Sequence, residues 1–419
     1  MKKLFLILIL NVSLLFSPAP VAGTTDPNGR YVSLNRYTGF FLNPDSYGFI
    51  FPAISPRQLM QPFAQRQNRP LYILAGSVMG YSITFLTWPV HSQLQNFYRK
   101  FWRGTYPPDR ILLTGNFYLG YFILNISVLW LALYLFERIF YQVVKPTRLS
   151  DYAMFLLMVF IASNPITKAF FWTVHQQMFN LLTPLLCIYF LLKSDQLEKP
   201  LSFSQMASVF LLGGFLLLVY GNFILLLPVL VFFFISHEKK FRITKNRIAG
   251  LFQSLALIIL FFFPTLSWIW ILKLHGVVYF NTEIRDYHQL IWIWETLQQS
   301  VKIFAQKLLL YTGYFFQTMR QLLILAIFSA VILFSEKIKV SLKSEMMIRT
   351  FFVFFCFLLF YWILGYYRER LTNTLIPVIV CLWLVALGQK ITDKKMIFKL
   401  GSLALIWHLY VLTSYGPFY

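Results

Sequence analysis

Asp45 lies in Asn43-Pro44-Asp45-Ser46-Tyr47-Gly48, a turn-forming stretch marked by Pro44 and Gly48 and flanked by apolar residues. Apolar surroundings raise a carboxyl pKa, which suits the group to take a proton during a transfer reaction. Asp also caps helix N-termini, and spacing alone leaves both roles open. Guanidinium groups follow at Arg66 and Arg69, in Arg66-Gln67-Asn68-Arg69-Pro70-Leu71-Tyr72. Two more come late, at Arg368 and Arg370 beside Tyr366 and Tyr367. Arg beside Tyr at a membrane edge is an ordinary interfacial arrangement, but guanidinium forks also match phosphate oxygens. His175, in Trp172-Thr173-Val174-His175-Gln176-Gln177, can contact a sugar or phosphate or serve packing alone, and His91 and His288 carry the same two readings. Cys187, Cys356 and Cys381 sit inside apolar runs at no ligand-like spacing, so neither a disulfide framework nor a zinc site is indicated.

The elements that must position these groups are membrane helices. The 419 residues are 58% hydrophobic and only 12% charged, with a mean hydropathy of +0.63. A soluble domain carries about 25% charged residues, so a globular surface is out of reach. The expected fold is all-α and polytopic. The net charge of +22 then reflects cytoplasmic loops and anionic lipid or a phosphorylated substrate, and nucleic acid is not expected as a partner.

After an apolar stretch at Leu4–Phe16, apolar runs recur near 111–136, 151–165, 176–192, 203–218, 222–236, 248–272, 308–334, 350–365, 372–388 and 396–412. Several are shorter than the roughly 20 residues of a simple span and need thinning, tilt or packing behind others. Counted as crossings they give about eleven spans. Starting with Lys2 and Lys3 inside, the segments 137–148, 193–199, 237–247, 335–349 and 389–399 fall on the same side, and together these carry 20 Lys and Arg. The opposite short segments 164–177, 219–222, 273–304, 366–371 and 413–419 carry 6. The bias puts the N-terminus in the cytoplasm.

It does so only if 71–90 adds no full crossing, so that stretch reads as a re-entrant or interfacial helix of the outer face. Residues 1–22 form a signal-anchor helix or a signal peptide, 23–110 one long outer element, and 111–419 the multi-span domain. No acid falls at the middle of a span, which argues against an ion-coupled transporter. Segment 91–110, with Arg99, Lys100, Arg103 and Arg110 among aromatics, reads as a basic amphipathic stretch on the membrane. Phe280–Gln299 reads as an amphipathic interfacial helix, Gly213-Gly214 as helix packing or a bend, and the Phe261–Phe263 and Phe351–Phe354 runs as lipid-facing.

Asp45-Ser46-Tyr47, Arg69-Pro70-Leu71-Tyr72, the Ser163-Asn164-Pro165 break, and Tyr366-Tyr367-Arg368-Glu369-Arg370 followed by Leu375-Ile376-Pro377 together resemble the membrane-embedded GT-C glycosyltransferases. The resemblance is to the dolichyl- or polyprenyl-phosphate-mannose and aminoarabinose transferases, and its topology covers nearly the whole chain. Two departures stand out: Asp45 is a lone acid where many members pair acids, and Pro70 is single where the family shows a double proline.

The resemblance implies a sugar donated by a polyprenyl phosphate to a glycan, lipid or protein acceptor, with inversion, on the outer face of a bacterial plasma membrane. Asp45 would be the base that takes the acceptor proton, or a ligand to a divalent cation such as Mg or Mn. Arg368 and Arg370, then Arg69 and Arg66, would hold the leaving phosphate. Tyr47, Tyr72, His175 and Tyr367 are the candidate substrate contacts. The competing readings are a flippase or transporter of lipid-linked saccharide, a saccharide polymerase, and a non-catalytic membrane subunit.

Overall fold

A computed structural model describes residues 2–14, 30–33, 39–42, 44–101, 108–195, 197–199, 201–241, 247–335 and 344–414. They are helical apart from one short antiparallel hairpin, β1 (Arg30–Ser33) and β2 (Gly39–Leu42), with Arg30 opposite Leu42. Helix α1 (Lys2–Ser13) is built into the bundle: Lys3 pairs with Glu137, and Asn11 donates to the Ala162 carbonyl at 3.3 Å. The stretch 44–101 supplies α2 (Pro44–Ile54), α3 (Pro70–Leu86) and α4 (His91–Phe101). The last two are bent by 61° at Thr87, as a broken span or a re-entrant loop would be. Arg103, placed with α4 by the sequence, lies outside the described residues.

The bundle continues through α5 (Pro108–Val143), α6 (Arg148–Ala162), α7 (Pro165–Phe170), α8 (Phe179–Asp195), α9 (Phe203–Leu217), α10 (Leu226–Phe241) and α11 (Arg247–Leu274). Two short helices, α12 (Thr282–Arg285) and α13 (Ile291–Gln299), precede the pair α14 (Val301–Thr318) and α15 (Arg320–Ser335), which meet at a 63° bend. The chain closes with α16 (Glu345–Ile363), α17 (Glu369–Thr372), α18 (Ile376–Leu387) and α19 (Lys394–Thr413). Helix α18 lies inside the bundle, packed against α5, α6, α8, α15 and α16.

Among the described residues, five helices are long and apolar enough to cross a bilayer, and up to seven if each bent pair is one span. The chain is thus an all-helical protein with the helices of a multi-pass membrane protein. Six of the seven belong to the eleven expected runs and the seventh is the α3–α4 pair; of the other five runs, α1 has 12 residues, and α6, α8, α9 and α10 have only 15, 17, 15 and 16 residues. At 1.5 Å per residue the last four reach about 23–26 Å, against a hydrocarbon core of about 30 Å.

Small residues let the helices close up. A Cβ on Gly120 would lie 2.9 Å from the Gly80 backbone nitrogen, and one on Gly80 would lie 2.5 Å from the Phe117 ring. Backbones of α3 and α5 therefore approach as they do at small-residue membrane interfaces. Gly213 and Gly214 do the same for α9 against α11, as expected for a packing pair, with Phe261 and Pro264 filling the space over them. Phe261 is accordingly fully buried, while Phe263 alone of its run is exposed.

Contacts sort the helix ends into two poles. At one, Lys3 meets Glu137, Gln389 donates to the Val143 carbonyl (3.0 Å), the Leu201 amide donates to His237 (2.9 Å) and Arg349 to the Leu191 carbonyl (2.5 Å). At the other, Asn68 meets Glu283, Asn180 donates to the Arg370 carbonyl (3.3 Å), Lys168 to the Val411 carbonyl (2.8 Å), and the Leu290 amide to that of Leu364 (3.0 Å). The first pole gathers the described parts of the Lys/Arg-rich segments.

Candidate functional site

The second pole holds a cavity of about 810 Å³ into which Asp45, Arg66, Arg69, His175, Glu283 and Arg370 all converge. Asp45 sits in the first turn of α2, where helix dipoles favour a carboxylate. Arg69 immediately precedes α3, whose first residue is Pro70, a natural opening because proline needs no hydrogen-bond acceptor there. His175 lies between α7 and α8. Asn164 starts α7 by accepting hydrogen bonds from the Ile166 and Thr167 amides, which turns the chain back after α6. That break shapes the loop but lies outside the cavity lining.

Arg66 pairs with one oxygen of Asp45, and His175 Nε2 lies 3.6 Å from the other. The Arg66 side chain is 9% exposed against 45% for Asp45, so the acid faces the open space and the arginine backs it. The Arg66 guanidinium also stacks 4.3 Å over the Phe49 ring. Burial pushes the Asp45 carboxyl up, but His175 and Arg66 outweigh it and hold the group well below the ordinary carboxylate range. This reverses the expectation that apolar neighbours alone would raise it. For His175, burial dominates and lowers its pKa to about 4, with Asp45 opposing and Arg370 and Arg66 assisting. At neutral pH the imidazole is therefore uncharged, and Arg66 is the charge that holds Asp45.

Asp45 is also not the lone acid its local sequence suggests. Arg69 pairs with Glu283, and Asn68 donates to the same carboxylate and, at 3.3 Å, to Asn281. The Phe280 amide donates to Gln67 Oε1 at 2.8 Å and Thr282 to the Gln65 carbonyl at 3.3 Å. The far end of the same segment is tied by Trp292 Nε1 donating to the Ile363 carbonyl (2.9 Å). Trp292 seats there because Gly365, at φ 81°, leaves the space a Cβ would fill. Residues 281–294 thus form a wall of the cavity, where a free interfacial helix was expected; Tyr287 and Trp294 line it. His288 faces outward and pairs with Glu295 at 3.0 Å, and His91 stacks beside Trp88, neither at the cavity.

The late arginines separate. Arg370 lines the cavity, its guanidinium 5.9 Å over the Phe170 ring and its only side-chain hydrogen bond among the described residues being to the Tyr366 hydroxyl at 3.2 Å, while Nε is buried without a partner. Arg368 is exposed, 5.7 Å over the Tyr366 ring, and does not line the cavity. The candidate contacts Tyr47, Tyr72 and Tyr367 also stand outside the lining. Tyr47 stacks on Phe51 (5.5 Å), Tyr72 packs among Phe49, Tyr121 and Phe179, and Tyr367 donates to the Trp362 carbonyl (2.7 Å).

Beneath the charged groups lies a polar floor that no local motif announces. The Tyr220 hydroxyl lies 3.0 Å from Gln177 Oε1 and 2.9 Å from Asn180 Oδ1. Asn222 donates to Asn180 at 2.5 Å and to Tyr361 at 2.7 Å, and Tyr361 donates to Thr374 at 3.2 Å. Such a network joins α8, α16 and the α17–α18 connection under the cavity, and a fully satisfied one fixes its members in place.

A divalent cation does not suit this donor set. Among the described residues no group of three or more His, Cys, Asp or Glu is placed to hold a metal ion, and the two cavity carboxylates are each bound by an arginine. With His175 neutral, three guanidinium groups face two carboxylates, leaving one net positive charge at Arg370. Leu217, Ile224, Ile284 and Phe360 supply an apolar side. The arrangement can hold one amphipathic anion and offer it a carboxylate and an imidazole. The chain matches no family model, no curated protein and no solved structure.

Proposed function

We propose that the chain is a GT-C-like membrane glycosyltransferase that moves a sugar, with inversion, from a polyprenyl phosphate to a hydroxyl of a glycan, lipid or protein acceptor. The observation that carries this reading is the cavity's combination of one uncompensated guanidinium, an exposed carboxylate and an apolar wall at one pole of a membrane bundle. A lipid phosphodiester carries one negative charge and an apolar chain, which matches both. The eleven helical crossings α1, α5, α6, α8, α9, α10, α11, α14–α15, α16, α18 and α19 alternate between the two poles, with the short ones thinning the bilayer locally. The Lys/Arg-rich pole is cytoplasmic in this reading, and the cavity opens on the outer face of a bacterial plasma membrane.

In the transfer, the acceptor oxygen attacks the anomeric carbon as the bond from that carbon to the phosphate oxygen breaks. The electron pair leaves with the phosphate, held by Arg370, and the acceptor proton passes to Asp45. The test is release of polyprenyl phosphate, coupled to acceptor glycosylation, from a panel of polyprenyl-phosphate sugars by purified protein. Arg370→Gln is expected to raise the donor KM about 10- to 100-fold, as losing a charge-assisted hydrogen bond does. Absence of transfer from every donor contradicts the reading.

A further inference from the structure

We infer that the sugar carried on the donor is electrically neutral, bearing neither an amino nor a carboxylate group; the inference rests on the cavity being the site of a polyprenyl-phosphate sugar. Once the lipid phosphate neutralises Arg370, the remaining charges of the cavity are the closed pairs Asp45–Arg66 and Glu283–Arg69. An ammonium substituent needs a carboxylate free to receive it. Both carboxylates here already have an arginine, so the cation would lose water without gaining a partner. A carboxylate on the sugar would compete with the phosphate for Arg370 and add a second negative charge where only one is compensated.

What the wall does offer is neutral hydrogen-bonding groups. Gln176 is 1% exposed, lines the cavity, and its carboxamide has no hydrogen-bond partner among the described residues. Gln177 has its oxygen engaged by Asn180 and Tyr220, which leaves its amide nitrogen to donate. Asn222 stands beside them, held by Tyr361. Carboxamides both donate and accept, which is what hydroxyls need. A buried carboxamide without a partner is costly until a ligand satisfies it. Trp294 and Tyr287 add flat apolar faces for the ring on the opposite wall.

The experiment compares binding of four probes to the purified full-length protein: bare undecaprenyl phosphate and its esters with a neutral hexose, a 4-amino pentose and a hexuronate. The neutral ester is expected to bind about tenfold or more tighter than bare undecaprenyl phosphate, and the two charged esters no tighter than it. Gln176→Leu, close in shape and removing an unsatisfied amide, is expected to abolish the neutral ester's advantage while bare undecaprenyl phosphate still binds. Tighter binding of the amino or uronate ester than of the neutral one overturns the inference, as does a neutral ester that gains nothing over the bare lipid. If bare undecaprenyl phosphate itself does not bind, the donor-site reading falls, a result distinct from failure on the sugar.

Discussion

Opposed effects compete at Asp45: burial raises its pKa, His175 and Arg66 lower it, and the two partners win. The local sequence announces the acid and its apolar neighbours but not the partner 21 residues on, so its environment was legible and its pKa was not. His175 shows the same limit. Its burial against Phe49 and Phe170, at 5.6 and 4.8 Å, comes from folding the outer element onto the α7–α8 turn. Its pKa of about 4, against an ordinary 6.5, means that the folded state binds fewer protons than the unfolded state between those values. Stability therefore rises with pH through that window. Acidification from pH 6.5 to 4 is expected to cost about 3 kcal/mol at this site. His175→Gln should flatten that part of a thermal-denaturation profile, and an unchanged slope would contradict the assignment. Arg368 and Arg370, inseparable by type, part because Arg368 is extended at φ −140° while Arg370 has entered the first turn of α17.

At the scale of elements, the wall formed by residues 281–294 depends on the Arg69–Glu283 pair, both largely buried, and on Asn68. Glu283→Gln leaves Arg69 buried without its counter-charge, a loss of about 3 kcal/mol or more. Hydrogen exchange of the 279–290 amides should then speed up while that of α18 does not; equal protection in both would show that the pair does not fasten the wall. The contact spans 214 residues, which is why periodicity read 280–299 as an interfacial helix: its mixed pattern is correct, but the polar face meets Asn68 and Arg69 rather than water. The floor of Asn180, Tyr220, Asn222 and Tyr361 was hidden for the same reason. Helix packing was easier to see at Gly213-Gly214 than at Gly80 and Gly120, which touch across two helices. Gly80→Val is expected to separate α3 from α5 and cost about 1–3 kcal/mol or more, read as a lowered Tm. A Tm equal to that of the unsubstituted protein would exclude the close packing.

Across the whole molecule, the class was plain from composition, since 12% charged residues cannot cover a globular surface. The number of crossings was not, because α1 and four interior helices are shorter than a bilayer is thick. The orientation proposed above rests on the Lys/Arg bias. Single cysteines placed at 193–199 or 389–395 in a cysteine-free background should label only from the cytoplasmic side, and those at 284–288 only from the opposite side. Reversed labelling would place the cavity in the cytoplasm and remove the outer-leaflet donor. The most direct test of the proposed activity is acceptor-dependent release of polyprenyl phosphate in proteoliposomes, wild type beside Asp45→Asn. The expected result is turnover in the wild type that falls about 10²- to 10⁴-fold in the variant, with donor binding retained. Equal turnover in both proteins, or donor that crosses the vesicle membrane unaltered, would contradict a transferase in which Asp45 takes the proton.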